Sequence, residues 1–242
     1  MIRPLKDYEP GEFERLHAAG SRILTASNIP ALFGKSRFVG QFALAQHLLG
    51  TVPLKDISDS PVVLRGKDLE PVTAAKVMKE TGWKIDSVFG YAEHPVLGSS
   101  ALASPDMLAW DPDRDLKDVG IGEGKVVAGP IFEDRWADGP PIDVELQHQF
   151  QFRCTGARWG FISALVVGDF RLDLILYRTF PNHEAIELID EAAAAFLSLL
   201  ADGKTPDPDT HETSLRALHS LYPNSDPGKI LMMDDPQSTE LF

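Results

Sequence analysis

Apolar residues recur at helical spacing through the first part of the chain, and three short helices are predicted there. They cover EFERLHAA (residues 12–19), SNIPALFG (27–34, with Ser27 placed to cap it) and VGQFALAQHLL (39–49), which Gly50 closes. A turn-rich bridge, TVPLKDISDSP, leads into RGKDLEPVTAAKVMKETG. In that segment Leu69, Val72, Ala75, Lys76 and Lys79 repeat with helical period and Gly82 supplies the stop. The period then shortens. WKIDSVFGYAEH, ALASPDMLAWDP and VGIGEGKVVAGP are rich in β-branched and aromatic residues and predict consecutive strands. FEDRWADGPP reads as a polar loop, IDVELQHQFQFRCTG as a helix, and ARWGFISALVVGDFRLDLILYRTF as a hairpin dividing at Gly168-Asp169. A last long helix runs from Asn182 to Gly203. The expected fold is α/β: a restriction-endonuclease-like core with a central mixed sheet flanked by helices.

Length changes this picture little: 242 residues, 43% of them hydrophobic, suit one domain with a sizeable core. Within it the pattern marks a helical part over about 1–60, a core over about 61–203 and a polar tail over 204–242. No repeat period argues for a solenoid. The single cysteine, Cys154, excludes an intramolecular disulfide framework and a cysteine-based zinc cluster. The first residues, MIRPLKDYEPGEFERL, lack an apolar run, and no stretch is long enough to span a bilayer, so the expected setting is cytoplasmic. A net charge of −13 works against nucleic-acid binding, but acidic residues concentrate in ADGKTPDPDTHET and MMDDPQSTELF and leave room for a neutral or basic groove elsewhere.

Candidate chemistry resides in Ser104-Pro105-Asp106, followed seventeen residues later by Glu123-Gly124-Lys125. Residues 123 and 125 of a strand project to one side, so a carboxylate and an ammonium share a pocket that Asp106 can join if its strand is the neighbour. Oxygen ligands on a rigid sheet suit Mg²⁺, which retains most of its waters. On spacing alone such matches are most often solvated strand residues. Two further features add weight: Glu70 on the preceding helix and Gln147-His148-Gln149 on the following one. His148 has no second histidine or cysteine at ligand spacing and reads as structural or surface.

The ordered set of Thr25-Ala26-Ser27, Gly66 to Glu70, Ser104-Pro105-Asp106, Glu123 to Lys125, and Gln147-His148-Gln149 resembles the YqaJ-like, lambda-exonuclease branch of the PD-(D/E)XK nuclease superfamily. The resemblance spans about residues 20 to 200, and the tail block LHSLYPNSD is similar to the end of many members. It implies that Asp106 and Glu123 hold Mg²⁺ (or Mn²⁺), with the Gly124 carbonyl as a further oxygen and Glu70 holding a second ion or its water. Lys125 would orient or help deprotonate the attacking water, and Gln147 or Gln149 would steady it. Ser27 would lie where the substrate phosphate is held.

Three departures stand out. Met107 follows the aspartate where the family usually has glycine, and Gly124 occupies a position usually bulky and apolar. The arginine usual before Thr-Ala-Ser is replaced by Gly20, with Arg22 nearby as a substitute and Lys35 as a further cation. The resemblance implies an exonuclease acting on ends of double-stranded DNA, 5′ to 3′, in phage-type recombination, partnered by a single-strand annealing protein and assembled as a homotrimer. Two other readings are a structure-dependent endonuclease on the same core and an inactive protein that binds DNA ends. Retention of Glu70, Asp106, Glu123 and Lys125 favours an enzyme, since binding alone has no need for carboxylates that repel phosphate.

Overall fold

A computed structural model describes residues 2–168, 170 and 172–224. The acidic MMDDPQSTELF segment, Asp169 of the hairpin turn and the last two residues of LHSLYPNSD lie outside the described residues. In chain order the elements are β1 (Lys6–Asp7), α1 (Glu12–His17), β2 (Leu24–Thr25), a 3-10 turn (Ala26–Asn28), α2 (Ile29–Leu32) and α3 (Gln41–Leu49). There follow α4 (Pro61–Thr81), β3 (Lys84–Ser87), β4 (Gly90–His94), β5 (Gly98–Ala103), β6 (Met107–Trp110) and β7 (Gly120–Ala128). The described chain ends with α5 (Gly129–Arg135), α6 (Ile142–Thr155), β8 (Gly160–Val167), β9 (Leu172–Thr179), α7 (His183–Ala201) and α8 (Glu212–Leu221).

The fold is mixed α/β, with two mixed sheets rather than one. A five-stranded sheet has the order β3-β6-β7-β8-β9, in which β7 and β8 run parallel and the other neighbours antiparallel. A four-stranded sheet has the order β1-β4-β5-β2. Two runs expected to be single strands each cross from one sheet to the other. WKIDSVFGYAEH breaks between β3 and β4, and ALASPDMLAWDP breaks at Ser104-Pro105-Asp106, between β5 and β6. Proline cannot donate to a ladder, so a strand ends there and a new pairing begins. The crossing is tied: the Val88 amide donates to the Asp106 carbonyl at 3.0 Å, and the Ser104 hydroxyl to the Gly90 carbonyl at 2.5 Å. Asp106 therefore stands at the corner where the sheets part.

Helix α4 packs on one face of the larger sheet through Ala74 and Val77, which meet Trp83, Ile85, Met107, Trp159 and Phe161. On the other face Val144 of α6 and Trp136 meet Val127, Ile162, Ala164 and Val166. The largest cluster joins α2 and α3 to α6, α7 and the smaller sheet through Ile29, Phe42, Leu44, Phe150, Ile189 and Phe196. Proline at the first turn and the Ser60 hydroxyl, 3.4 Å from the Val63 amide, start α4 at residue 61. That start is earlier than its hydrophobic period suggests.

Two segments differ from their sequence reading. FEDRWADGPP was expected as a loop, but its first four residues belong to α5, which Pro130 opens. Within 204–242, expected as a polar tail, α8 buries Ser214 and Ala217 against α3. The same segment supplies the missing acceptors at the start of α3. Thr213 Oγ1 accepts from the Gly40 amide at 2.9 Å, Asp209 Oδ2 from Phe42 at 3.1 Å and Ser214 Oγ from Ala43 at 3.4 Å. The fit requires glycine, because a Cβ at position 40 would lie 2.3 Å from Ser214 Oγ. No helix among the described residues is long and apolar enough to cross a membrane.

Candidate active site

Strand β7 presents alternate residues to opposite sides of the larger sheet. Glu123 and Lys125 face α6, while Gly122 and Gly124 face the α4 side, where Phe161 and Met107 fill the space a Cβ would take. Asp106, immediately before β6, is anchored to β7 twice. Its amide donates to the Gly122 carbonyl at 3.0 Å, and its Oδ2 accepts from the Gly124 amide at 2.7 Å. Glu70 lies in the middle of the 21-residue α4, too far from the helix start for the helix dipole to explain it. Together Glu70, Asp106, Glu123, Lys125 and Gln147 line one cavity of about 500 Å³, to which Phe38, Ile57, Val62 and Val63 add apolar lining.

Glu123 is 1% exposed and fully partnered on one side. Its Oε1 accepts from Lys125 Nζ at 2.5 Å and Gln147 Nε2 at 2.8 Å, and its Oε2 accepts from Gln151 Nε2 at 2.6 Å. Burial, reinforced by the Glu123 charge, pushes the Asp106 carboxyl up to about 8, although Lys125 and the Gly124 amide oppose the rise. Burial and Glu123 likewise raise Glu70. Burial would lower the Lys125 ammonium, but the Glu123 and Asp106 carboxylates outweigh it and hold Lys125 above the ordinary lysine range. Lys125 is accordingly a charged donor, not a neutral base, in this arrangement.

A divalent cation fits this donor set. Crowded carboxyls that resist ionisation together are relieved by positive charge placed between them. Among the described residues no group of three or more His, Cys, Asp and Glu side chains is placed to hold a metal ion, so an ion here would rest on at most two carboxylates and water.

The amides divide differently from their sequence reading. Gln147 reaches the site, bonding Glu123 and accepting from Lys125 Nζ at 3.3 Å. Gln149 does not reach it. Its side chain donates to the Phe180 carbonyl at 3.1 Å and accepts from the Asn182 amide at 2.8 Å, fastening the start of α7. On a helix, residues two apart point away from each other, whereas i and i+4 share a face. The partner of Gln147 is therefore Gln151, fully buried, which also donates to the Ser104 carbonyl at 3.1 Å. His148 is a buried structural residue between Gln151 and Thr179, and His94 ends β4 with its Nε2 2.9 Å from Asp190 Oδ1.

Met107 and Gly124 lie against each other across the β6–β7 pair. A Cβ on Gly124 would lie 3.3 Å from Met107 Cε, so the methionine fills the room that a larger residue at 124 would need. A glycine inside a strand weakens it, yet the β7–β8 ladder is continuous from Ile121 to Ala128.

The expected phosphate group is dispersed. Ser27 does not cap a helix start. It sits inside the 3-10 turn, 3.1 Å from Thr25 Oγ1, while Asn28 Oδ1 accepts from the Thr25 amide and hydroxyl. Its exposed side chain lines a smaller cavity that shares Gln147 with the first. Arg22, held at a φ of 58°, lines a separate depression with Arg15, Ser21, Ser99 and Ser100. Lys35 follows α2, its amide donating to the Pro30 carbonyl at 2.8 Å.

The model of the YqaJ-like viral recombinase domain matches residues 12–158. The chain belongs to that family. The fold is shared with solved exonucleases. The alkaline exonuclease LHK-Exo from Laribacter hongkongensis is 23% identical and superposes with a TM-score of 0.61, over 86% of this chain and 99% of its own. The same protein in complex with dAMP gives 0.56 at 23% identity, over 86% and 96%. A phage-related exonuclease from Haemophilus somnus 129PT gives 0.52 at 13% identity, over 75% and 96%. No curated protein matches the sequence significantly.

Proposed function

We propose that this chain is a Mg²⁺-dependent exonuclease that hydrolyses double-stranded DNA from an end, 5′ to 3′, and supplies single strands to an annealing partner. The observation that carries the reading is the gathering of Asp106, Glu123 and Lys125, with Glu70 and Gln147, around one open cavity on the larger sheet. Family membership supports recombination as the setting, and the fold shared with solved exonucleases supports end-directed hydrolysis. Asp106 and Glu123 would hold the ion, with the Gly124 carbonyl a further oxygen. When bound, the ion supplies Lewis acidity toward a phosphoryl oxygen and a more acidic water. Lys125 donates toward charge that develops on the scissile phosphate, and its raised pKa keeps it able to do so at neutral pH. Gln147 and Gln151 hold Glu123 in its orientation. Mn²⁺ would serve in place of Mg²⁺, and a homotrimer would confine the duplex without ATP.

Linear duplexes labelled at either 5′ or 3′ ends, and closed circles, each incubated with and without Mg²⁺, test this directly. Mononucleotide release from the 5′ label of linear DNA only, and only with the ion, is the expected result. Rapid nicking of closed circles would replace it with the endonuclease reading, and end binding without hydrolysis with the binding-protein reading.

A further inference from the structure

Behind the Glu123 carboxylate runs a buried chain of side chains that does not reach the cavity. Gln151 Nε2 donates to Glu123 Oε2 at 2.6 Å and to the Ser104 carbonyl at 3.1 Å. A main-chain carbonyl can only accept, so the amide nitrogen of Gln151 faces that side and its Oε1 points the other way. There Oε1 lies 2.8 Å from His148 Nδ1. An amide oxygen also only accepts, so Nδ1 carries the hydrogen. Burial pushes the imidazole below the ordinary histidine range, although the bond to Gln151 opposes it, and the ring is neutral. Its Nε2 is then an acceptor, and Thr179 Oγ1, 2.9 Å away, donates to it.

The chain links distant elements. His148 and Gln151 stand three residues apart on one face of α6, and Thr179 ends β9 opposite Gly160 of β8. A Cβ on Gly160 would lie 3.0 Å from His148 Nε2, so the glycine leaves room for the ring, which Phe152 meets edge-on at 4.7 Å. His148 and Gln151 are both fully buried, so no water can stand in for a misdirected amide. With its amide reversed, Gln151 would turn an oxygen toward Glu123 and the Ser104 carbonyl, and Glu123 Oε2 would lose its donor. We propose that His148 is a positioning residue of the active site: its Nδ1–H, set by Thr179, fixes the Gln151 amide and through it the orientation of the Glu123 carboxylate toward the ion. The proposal rests on the metal-dependent reading for the ion, whereas the form of the ring does not depend on it.

Long-range proton–nitrogen correlation spectra of the full native chain, with the ring assigned through its backbone, report the form of His148. The Nδ1–H form is expected, and the Nε2–H form overturns the proposal even if no variant folds. Two variants then separate positioning from packing, in a Mn²⁺ titration of the protein and in hydrolysis of linear duplex. Leucine fills much of the ring's space but has no donor. His148→Leu is expected to weaken Mn²⁺ binding by about tenfold or more and to lower kcat by about tenfold or more, with KM for DNA within about twofold of native. Asparagine is smaller, yet its amide nitrogen falls near the Nδ1 position, so His148→Asn should hold Mn²⁺ within about threefold of native. A role in packing alone predicts the reverse order, because asparagine leaves the larger void. That order, or equal affinities in all three proteins, overturns the proposal. A native chain that binds no Mn²⁺ defeats the metal-dependent reading and this proposal together, whereas native binding left unchanged in His148→Leu defeats this proposal alone.

Discussion

If Met107 and Gly124 exchange volume across the β6–β7 pair, their substitutions must couple. Met107 is fully buried among Ala74, Val77 and Trp83, so Met107→Ala should destabilise by about 2–4 kcal/mol through lost contacts and the space left behind. Gly124→Val places a branched side chain where a Cβ alone would already lie 3.3 Å from Met107 Cε. Overpacking of that kind costs about 1–3 kcal/mol. In the double variant the new methyls occupy the room that the methionine has left. The sum of the single effects is then not reached, and a favourable coupling of about 1–2 kcal/mol is expected. Urea unfolding followed by tryptophan fluorescence measures it, since Trp83 and Trp159 lie in the same cluster. In a chain of this size each kcal/mol shifts Tm by roughly 2–4 °C. Hydrolysis should follow stability, because Asp106 is oriented by the Gly124 amide. Additivity within about 0.5 kcal/mol would refute the volume exchange.

Asp106→Asn and Glu123→Gln should each abolish Mg²⁺-dependent hydrolysis while DNA binding persists in a filter assay; near-native rates in both variants would mean the site is elsewhere. Gln151→Ala leaves a buried Glu123 oxygen without its donor and should cost about 1–3 kcal/mol together with most activity. Gln149→Ala should leave the rate within about twofold of native, a contrast that steady-state kinetics will read. For pH, the Asp106 carboxyl is raised from 3.8 to about 8 in the folded, metal-free chain. Between those values the folded state binds more protons than the unfolded one, so stability should fall as pH rises from about 4 to 8. Thermal melts in chelator should show that decline, and Asp106→Asn or saturating Mg²⁺ should flatten it.

Much of the site was legible because its residues sit in short ordered blocks on regular elements. The period of a strand puts Glu123 and Lys125 on one side, and the structure finds both in the cavity with Asp106. Where the reading failed, the reason is geometric. The resemblance offered Gln147 or Gln149, two residues apart on a segment predicted to be a helix, where only one of them can face the site. The helical partner, Gln151, was available at i+4. The two-sheet division was harder to see, because a strand that crosses between sheets keeps its composition and only Pro105 marks the break. Helix α8 was missed because charged and polar residues dominate HETSLRALHSL, although its few apolar positions share a face. The separation of Ser27 from Arg22 depends on how distant segments fold over Leu102, which no local pattern reports.

The clasp at the start of α3 also has a temporal side. Its donors belong to residues 40–43 and its acceptors to residues 209–214, with 167 positions separating Phe42 from Asp209. At the usual pace of translation, roughly 5–20 residues per second, about 10–30 s pass before the second half of the clasp leaves the ribosome. Until then the helix start lacks its partners. The start of α3 is thus completed only once residues 209–214 have been made.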